Sequence, residues 1–320
     1  MKSLAGKQKL LVLIGPTAVG KTNLSIKLAK RFSGEIISGD SMQIYRGMDI
    51  GTAKITPSEM EGVPHHLIDF KDPEDSFSAA EFQGLVRKKI EEIAARGKLP
   101  MIVGGTGLYI QSAIYDYQFS EAAGDPEFRQ KLEREADELG TASVHEMLEK
   151  VDPESAAKIH PNNVRRVIRA LEIHHSTGMT AGEYQAKQTP EVLYDTAVIG
   201  LTMDRDQLYT RIDRRVDLML DQGLVNEVKG LYDEGLKDCQ SIQAIGYKEI
   251  YDYFEGKVSL DQAADQLKQN SRRYAKRQLT WFRNKMEVEW FDMSAGTDMG
   301  KKFAEISIYI EGKLKIKANT

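Results

Sequence analysis

The 320-residue sequence contains a single cysteine, Cys239, which excludes an intramolecular disulfide framework and any zinc site built from several thiolates. A reducing, cytoplasmic compartment is the expectation that follows. Long hydrophobic runs are equally scarce. The apolar stretch at residues 10–14 is stopped by Gly15 and Pro16, too short for the core of a secretory signal and far too short to span a bilayer, so no membrane role is expected. Nor is there an excess of positive charge. A formal net charge of -4 gives no global attraction for nucleic acid, and any such contact must come from local patches that a whole-chain sum hides. Repeats and low-complexity segments are missing too. What is present, 41% hydrophobic and 29% charged residues, is the make-up of a folded globular protein, long enough for one large domain or for a core with a sizeable insertion.

Short apolar runs recur along the chain. Residues 9–14 read as a buried parallel strand and residues 21–32 as the helix after it. Further strands are predicted at 35–38, 64–70, 100–103, 197–201 and 288–291, several alternating with helix-like segments, the pattern of an α/β core with a parallel sheet. From about Tyr117 to Val192 the strand signal vanishes and helices are predicted at 126–139, 143–150, 154–159 and 164–177. Residues 117–192 therefore read as a helical insertion in a core formed by 1–116 and 193–320. The last third is again largely helical, with helices near 206–222, 225–234, 245–256 and 260–285.

Gly15-Pro16-Thr17-Ala18-Val19-Gly20-Lys21-Thr22 matches G-x-x-x-x-G-K-[ST] and has the strand before it and the helix after it that the motif requires. Its glycines let several backbone N–H groups turn inward, and the helix N-terminus adds positive potential for a phosphate. Lys21 is placed to reach outer phosphate oxygens, and the Thr22 hydroxyl to ligate Mg²⁺. A glycine-rich turn with a surface lysine is the bland alternative. The motif asks for a di- or triphosphate and is silent on what that phosphate carries. Asp40 follows the second strand, where carboxyl ends of strands frame a ligand crevice; it is a candidate base or metal ligand, and equally a turn or helix-capping aspartate. Gly104, Gly105 and Gly107, at the end of a third strand, fit either close approach of backbone to a ligand or ordinary turns. In the helix beginning near Asp206, Arg211 and Arg215 share a face on which one or both could clamp a diphosphate. Surface pairing with Asp213 or Asp217 is the alternative, and Arg214, a quarter-turn away, reads as solvated.

Taken in order, residues 15–22, Asp40-Ser41-Met42-Gln43-Ile44-Tyr45, Gly51-Thr52-Ala53-Lys54, His65-His66-Leu67-Ile68-Asp69, Gly104-Gly105-Thr106-Gly107-Leu108-Tyr109, His160-Pro161-Asn162-Asn163, Arg169-Ala170-Leu171-Glu172, Gly246-Tyr247-Lys248 and 274–283 resemble the motif series of the tRNA dimethylallyltransferases. The resemblance runs from the first strand to about Arg283. Asn163 stands where bacterial members often carry aspartate, a departure confined to a local cap or turn. The resemblance implies a fold like that of the P-loop kinases, with a helical insertion that grips the tRNA anticodon arm. It implies transfer of a dimethylallyl group from dimethylallyl diphosphate to N6 of the adenosine just 3′ of the anticodon, in tRNAs reading codons that begin with U, with Mg²⁺ as cofactor and pyrophosphate as product. Carried over position by position, it implies Asp40, Thr17 and Arg215 as catalytic, and Gly15, Pro16, Thr17, Ala18, Val19, Gly20, Lys21, Thr22 and Arg215 as the diphosphate site, with Thr22 the metal ligand. It implies tRNA contacts at Asp40, Ser41, Met42, Gln43, Thr106, Arg129, Arg165, Arg166, Val167, Ile168 and Arg169. A monomer is expected.

Elementary chemistry agrees with that assignment. The exocyclic amine of adenine is a poor nucleophile, so a carboxylate accepting its N–H would help it attack, and Asp40 suits that role. The allylic carbon gains positive charge and the departing pyrophosphate negative charge, which Lys21, the loop amides and Mg²⁺ on Thr22 would balance. Residues 266–286 contain no Asp or Glu but carry Lys268, Arg272, Arg273, Lys276, Arg277, Arg283 and Lys285. At helical spacing, most of these cover one side and Ala275, Leu279, Phe282 and Met286 the other, giving a packed helix with a basic outer face suited to phosphates. Arg165, Arg166 and Arg169 form a second cationic cluster in an otherwise acid-rich insertion. His65 and His66 read as structural or substrate-lining, without the ligand spacing of a metal site, and Trp281 and Trp290 as core. Two other enzyme readings compete, a small-molecule kinase using ATP and a prenyltransferase acting on free AMP or ADP, together with a non-catalytic nucleotide-dependent RNA-binding switch.

Overall fold

A computed structural model describes residues 6–117, 119, 125–187 and 191–319. The chain divides into two compact units, Met1–Ile114 with Val192–Thr320, and Tyr115–Glu191. In order, the elements of the first are β1 (Lys9–Ile14), α1 (Lys21–Phe32), β2 (Gly34–Gly39), β3 (His65–His66), α2 (Ala79–Ala95), β4 (Leu99–Gly104) and α3 (Gly107–Ile114). The second unit supplies α4 (Pro126–Leu139), α5 (Thr141–Val151), α6 (Pro153–Lys158), α7 (Val164–Thr177) and α8 (Ala181–Lys187). The chain then returns to the first unit as β5 (Asp195–Thr202), α9 (Arg205–Asp221), α10 (Leu224–Asp233), α11 (Tyr247–Phe254), α12 (Leu260–Lys285), β6 (Glu289–Asp292) and α13 (Met299–Leu314).

The six strands form one parallel sheet in the order β3-β2-β4-β1-β5-β6. Its centre is β1, where Leu10 to Ile14 are all fully buried, as expected of a parallel strand covered on both faces. Each such side chain contributes about 1.5–3 kcal/mol by leaving water. The chain runs from β1 to β2 and only later inserts β4 between them. The carboxyl ends of β1, β4 and β2 therefore lie side by side, and the three segments that leave them, beginning at Gly15, Gly105 and Asp40, emerge along one edge of the sheet. The two units have separate apolar cores; in the second, Val144, Leu148, Val167, Ile168 and Leu171 pack together.

Most sequence-predicted elements are present within a residue or two. The strand predicted at 64–70 is an exception, since pairing with β2 stops after His66. Leu67 and Asp69 have φ of 60° and 54°, left-handed backbone that cannot continue a strand. Helices α2, α3, α8 and α13 are not among the sequence-predicted elements, although Ser78 and Glu81 form a capping box at the start of α2. Asn163 is the N-cap residue of α7 and makes no side-chain capping bond, so its difference from aspartate stays at a helix end. Trp281 and Trp290 are half-buried, each set against a glycine, Gly107 and Gly200, where a Cβ would collide with the indole. No helix among the described residues is long and apolar enough to cross a membrane.

Candidate active site

The phosphate loop turns between β1 and α1 through left-handed backbone at Ala18 (φ 65°) and Gly20 (φ 106°). Gly15 lies so close to β5 that a Cβ there would sit 2.8 Å from the Leu201 carbonyl oxygen. Val19 and Ala18 turn their side chains into the core, leaving backbone to face the cleft. Lys21 folds back over the loop, its Nζ donating to the carbonyls of Gly15 (2.9 Å) and Pro16 (2.8 Å). Burial, helped by the Arg215 charge and opposed by Asp40, pushes the Lys21 ammonium down to about 7.

Asp40 closes the turn that its structural reading expects, and it also lines the cleft. Its Oδ1 accepts from the backbone N–H groups of Met42 (2.8 Å) and Gln43 (3.3 Å), closing the turn after β2. Its Oδ2 has no hydrogen bond among the described residues. Burial raises the Asp40 carboxyl above the ordinary aspartate value, against the two N–H donors and the Lys21 charge, which pull it down. The turn is fastened from β4, because Ser41 N–H donates to Thr106 Oγ1 (3.1 Å). Gln43 reaches on to the next loop, its Nε2 donating to the carbonyls of Thr52 (3.2 Å) and Ala53 (3.3 Å).

Arg215, on α9, donates from Nη1 to Thr17 Oγ1 (3.3 Å). It takes neither Asp213 nor Asp217 as a partner. Those carboxylates bind α12 instead, Asp213 to Arg272 (2.5 Å) and Asp217 to Lys268 (2.6 Å). Burial and the neighbouring Arg211 charge lower the Arg215 guanidinium from its ordinary value. Thr17, Lys21, Thr22, Asp40, Arg211 and Arg215 line one cleft of about 390 Å³. A second chamber of about 290 Å³ shares Thr17, Asp40, Arg215 and Tyr274 with it and is walled by Ile212, Val216, Met219 and Leu267. One side of the Thr17–Asp40 pair is polar and the other largely apolar. The Thr22 hydroxyl lines the polar cleft with no hydrogen bond among the described residues, and Ser38 and Asp40 line it too. An oxygen donor set with few protein ligands fits Mg²⁺, which keeps several waters and shares substrate phosphates.

Several functional-looking residues have structural partners. His66 bonds the buried Glu35 (2.7 Å), which also pairs with Arg96, whereas His65 lines the cleft and binds the Val63 carbonyl through Nδ1 (2.8 Å). The glycines after β4 approach protein rather than empty space: a Cβ on Gly104 would meet the Gly39 backbone, on Gly105 the Gln278 side chain and on Gly107 the Trp281 ring. Sequence reasoning missed the partners that hold the walls. Glu227 on α10 accepts from the N–H groups of Asp49, Ile50 and Gly51 and from the Tyr247 hydroxyl. Lys54, almost fully buried, pairs with Asp49 and Asp69. Gln278 and Tyr274, both lining the cleft, stand four residues apart inside the run at 274–283 that reads by charge alone as a basic face.

The basic outer face of α12 is reduced accordingly. With Lys268 and Arg272 bound to α9, the exposed cations are Arg273, Lys276, Arg277, Arg283 and Lys285. In the helical unit, the cluster on α7 divides. Arg165 and Arg166 are exposed, whereas Val167 and Ile168 are only 1% and 3% exposed and turn their side chains into the core. Arg129 grips the buried Glu172 through two bonds (2.7 and 2.9 Å), and Arg169 reaches the same carboxylate at 3.5 Å.

A phosphate-loop motif, a carboxylate with a raised pKa and an arginine bonded to the loop, all lining one cleft, invite comparison with known proteins. The family model described as IPP transferase matches residues 43–285. The chain belongs to the IPP transferase family. It is 66% identical over 313 residues to the tRNA dimethylallyltransferase of Bacillus cereus and 65% identical to that of Bacillus anthracis, covering 98% of each chain. Among solved structures, it resembles the full-length tRNA isopentenylpyrophosphate transferase of Bacillus halodurans (57% identity, TM-score 0.75, 97% of both chains). It also resembles a eukaryotic dimethylallyltransferase acting on tRNA (31% identity, TM-score 0.83, 98% of this chain and 81% of that one). These likenesses extend the family assignment across the phosphate loop, which lies before the matched residues 43–285. The α/β core with a P-loop is thus the family's fold.

Proposed function

We propose that the chain transfers the dimethylallyl group of dimethylallyl diphosphate to N6 of the adenosine 3′-adjacent to the anticodon, in tRNAs that read codons beginning with U, and releases pyrophosphate. The observation that carries this reading is the single cleft shared by the phosphate loop and Asp40, with Thr17 and Arg215 between the two. The two halves of an alkyl transfer need opposite surroundings, cationic for the leaving group and basic for the nucleophile, and the cleft offers both.

In this account the loop amides, Lys21 and Arg215 hold the diphosphate, and Thr22 would hold a Mg²⁺ ion that would neutralise further charge. As the C1–O bond breaks, its electron pair passes to the pyrophosphate oxygen. Lys21 and Arg215, both lining the cleft, supply the positive charge that meets the growing charge on that oxygen. The N6 lone pair forms the new bond to C1, and the N6 proton passes to Asp40. The Met42 and Gln43 amides keep Oδ1 fixed while Oδ2 takes the proton. The adenosine leaves its stack to reach this carboxylate. The apolar walls at Ile212, Val216 and Met219 suit the prenyl chain.

Arg165 and Arg166 on the helical unit, supported by Arg129 and Arg169, serve the anticodon arm in this reading, and Arg273, Lys276 and Arg277 serve the tRNA backbone. The protein acts as a cytoplasmic monomer. The test is mass analysis of nucleosides after the pure protein is incubated with dimethylallyl diphosphate and either tRNA or AMP. A prenyl-sized increase on adenosine from tRNA alone supports the proposal. Prenylation of AMP but not tRNA, or no prenylation together with phosphate release from ATP, would replace it with one of the competing enzyme readings.

A further inference from the structure

The Thr17 backbone N–H does not point at the phosphate site. It donates to Oε1 of Gln278 on α12, 2.9 Å away, while Gln278 Nε2 donates to the Gly105 carbonyl at 3.0 Å. Gln278 is only 5% exposed, so one buried amide spans the loops that leave β1 and β4. A phosphate loop normally spends its N–H groups on the anion; here one is committed to a side chain 261 residues away. The fit is exclusive on the other side as well, because a Cβ on Gly105 would stand 2.0 Å from Gln278 Nε2. One turn earlier, the buried Tyr274 phenol lies beside the Thr106 and Gln278 side chains, and Thr106 holds the Ser41 amide next to Asp40. Tyr274 and Gln278 face the cleft together from one side of the helix.

We propose that Gln278 is a positioning residue that fixes the leaving-group side of the site to the base side. Through Thr17 it sets where the Thr17 hydroxyl and its partner Arg215 stand, and through Gly105 and the Tyr274–Thr106 contact it ties that point to the turn carrying Asp40. The inference rests on the transfer reaction proposed above. Misplacement of reacting groups by about 1 Å costs on the order of 10²-fold, whereas ground-state binding of the diphosphate still has Lys21 and the remaining amides. Loss of Gln278 therefore acts on turnover more than on substrate affinity.

Three variants test this: Gln278→Ala, the more volume-preserving Gln278→Met, and Gly105→Ala, which leaves the amide intact and displaces it. Kinetics are normalised to the folded fraction by near-UV circular dichroism. Gln278→Met and Gly105→Ala should each lower kcat at saturating tRNA and dimethylallyl diphosphate by roughly 10- to 100-fold, with KM for the diphosphate changed less than about threefold. In the Gln278→Ala background the space at Gly105 is vacated, so Gly105→Ala should add little further loss. Unchanged kcat in Gln278→Met, or Gly105→Ala costs that multiply with those of Gln278→Ala, would overturn the assignment. The parent enzyme separates this from failure of the reaction itself: an inactive parent removes the proposed transfer, and an active parent with an equally active Gln278→Met variant removes only the role of Gln278.

Discussion

Arg215 Nη1 and Thr17 Oγ1 meet at 3.3 Å across 198 residues of sequence, a contact between a helix and a loop that neither local motif can bring together. Thr17 sits at the boundary between the polar cleft and the apolar chamber and lines both.

Arg215→Gln should lower kcat by roughly 10²- to 10³-fold, the usual cost of losing one donor aimed at developing charge. KM for dimethylallyl diphosphate should rise less, since Lys21 and the loop remain. Steady-state kinetics with tRNA saturating measures both. A raised KM at unchanged kcat would make Arg215 a ground-state binding residue only.

The Lys21 ammonium, depressed to about 7, gives binding a characteristic pH dependence. Below that value the lysine is charged before and after the diphosphate binds. Above it, a proton must be taken up on binding, so affinity should fall by up to tenfold per pH unit from about 7 until the raised pKa of the complex is reached. Isothermal titration in buffers of differing ionisation heat would detect the uptake. Lys21→Arg should abolish it, and a flat affinity between pH 7 and 9 in the parent would contradict the assignment.

Arg165→Ala with Arg166→Ala should weaken tRNA binding and flatten its salt dependence, as fewer counterions are released, with the melting temperature unchanged. Arg129→Ala should behave differently. It strips the bidentate partner from the buried Glu172, so it should lower the melting temperature of the helical unit. Salt titrations of tRNA binding beside thermal melts separate the two. An unaltered salt slope in the first variant would remove α7 from the RNA surface.

The legible parts of this protein were those written locally. The phosphate loop, the strands from Lys9 to Ile14 and the helix of residues 126–139 each depend on neighbours in sequence, and the structure holds them as read. The illegible parts are contacts between distant segments. Charge on α12 looked unpaired because its acids, Asp213 and Asp217, belong to another helix. Gln278 stands inside the motif run 274–283 as an uncharged residue among charges, with nothing in its type to announce a role, yet it is the side chain that reaches both Thr17 and Gly105. Val167 and Ile168, which the motif series groups with Arg165 and Arg166, follow helical periodicity inward with their side chains.

The central claim is that Asp40 removes the proton from N6 in the same cleft that holds the diphosphate. Single-turnover kinetics on preformed complex, comparing the parent with Asp40→Asn, isolates that step. Asn keeps the size and can still accept from the Met42 and Gln43 amides, so folding and diphosphate affinity should survive. The rate should fall by roughly 10²- to 10⁴-fold. Because burial raises the Asp40 pKa, the parent rate should decline on acidification at a higher pH than an ordinary aspartate would give, and the residual rate of the variant should lack that decline. A single-turnover rate for Asp40→Asn within about twofold of the parent, with the same pH profile, would contradict the account, since no general base can be lost at so small a cost.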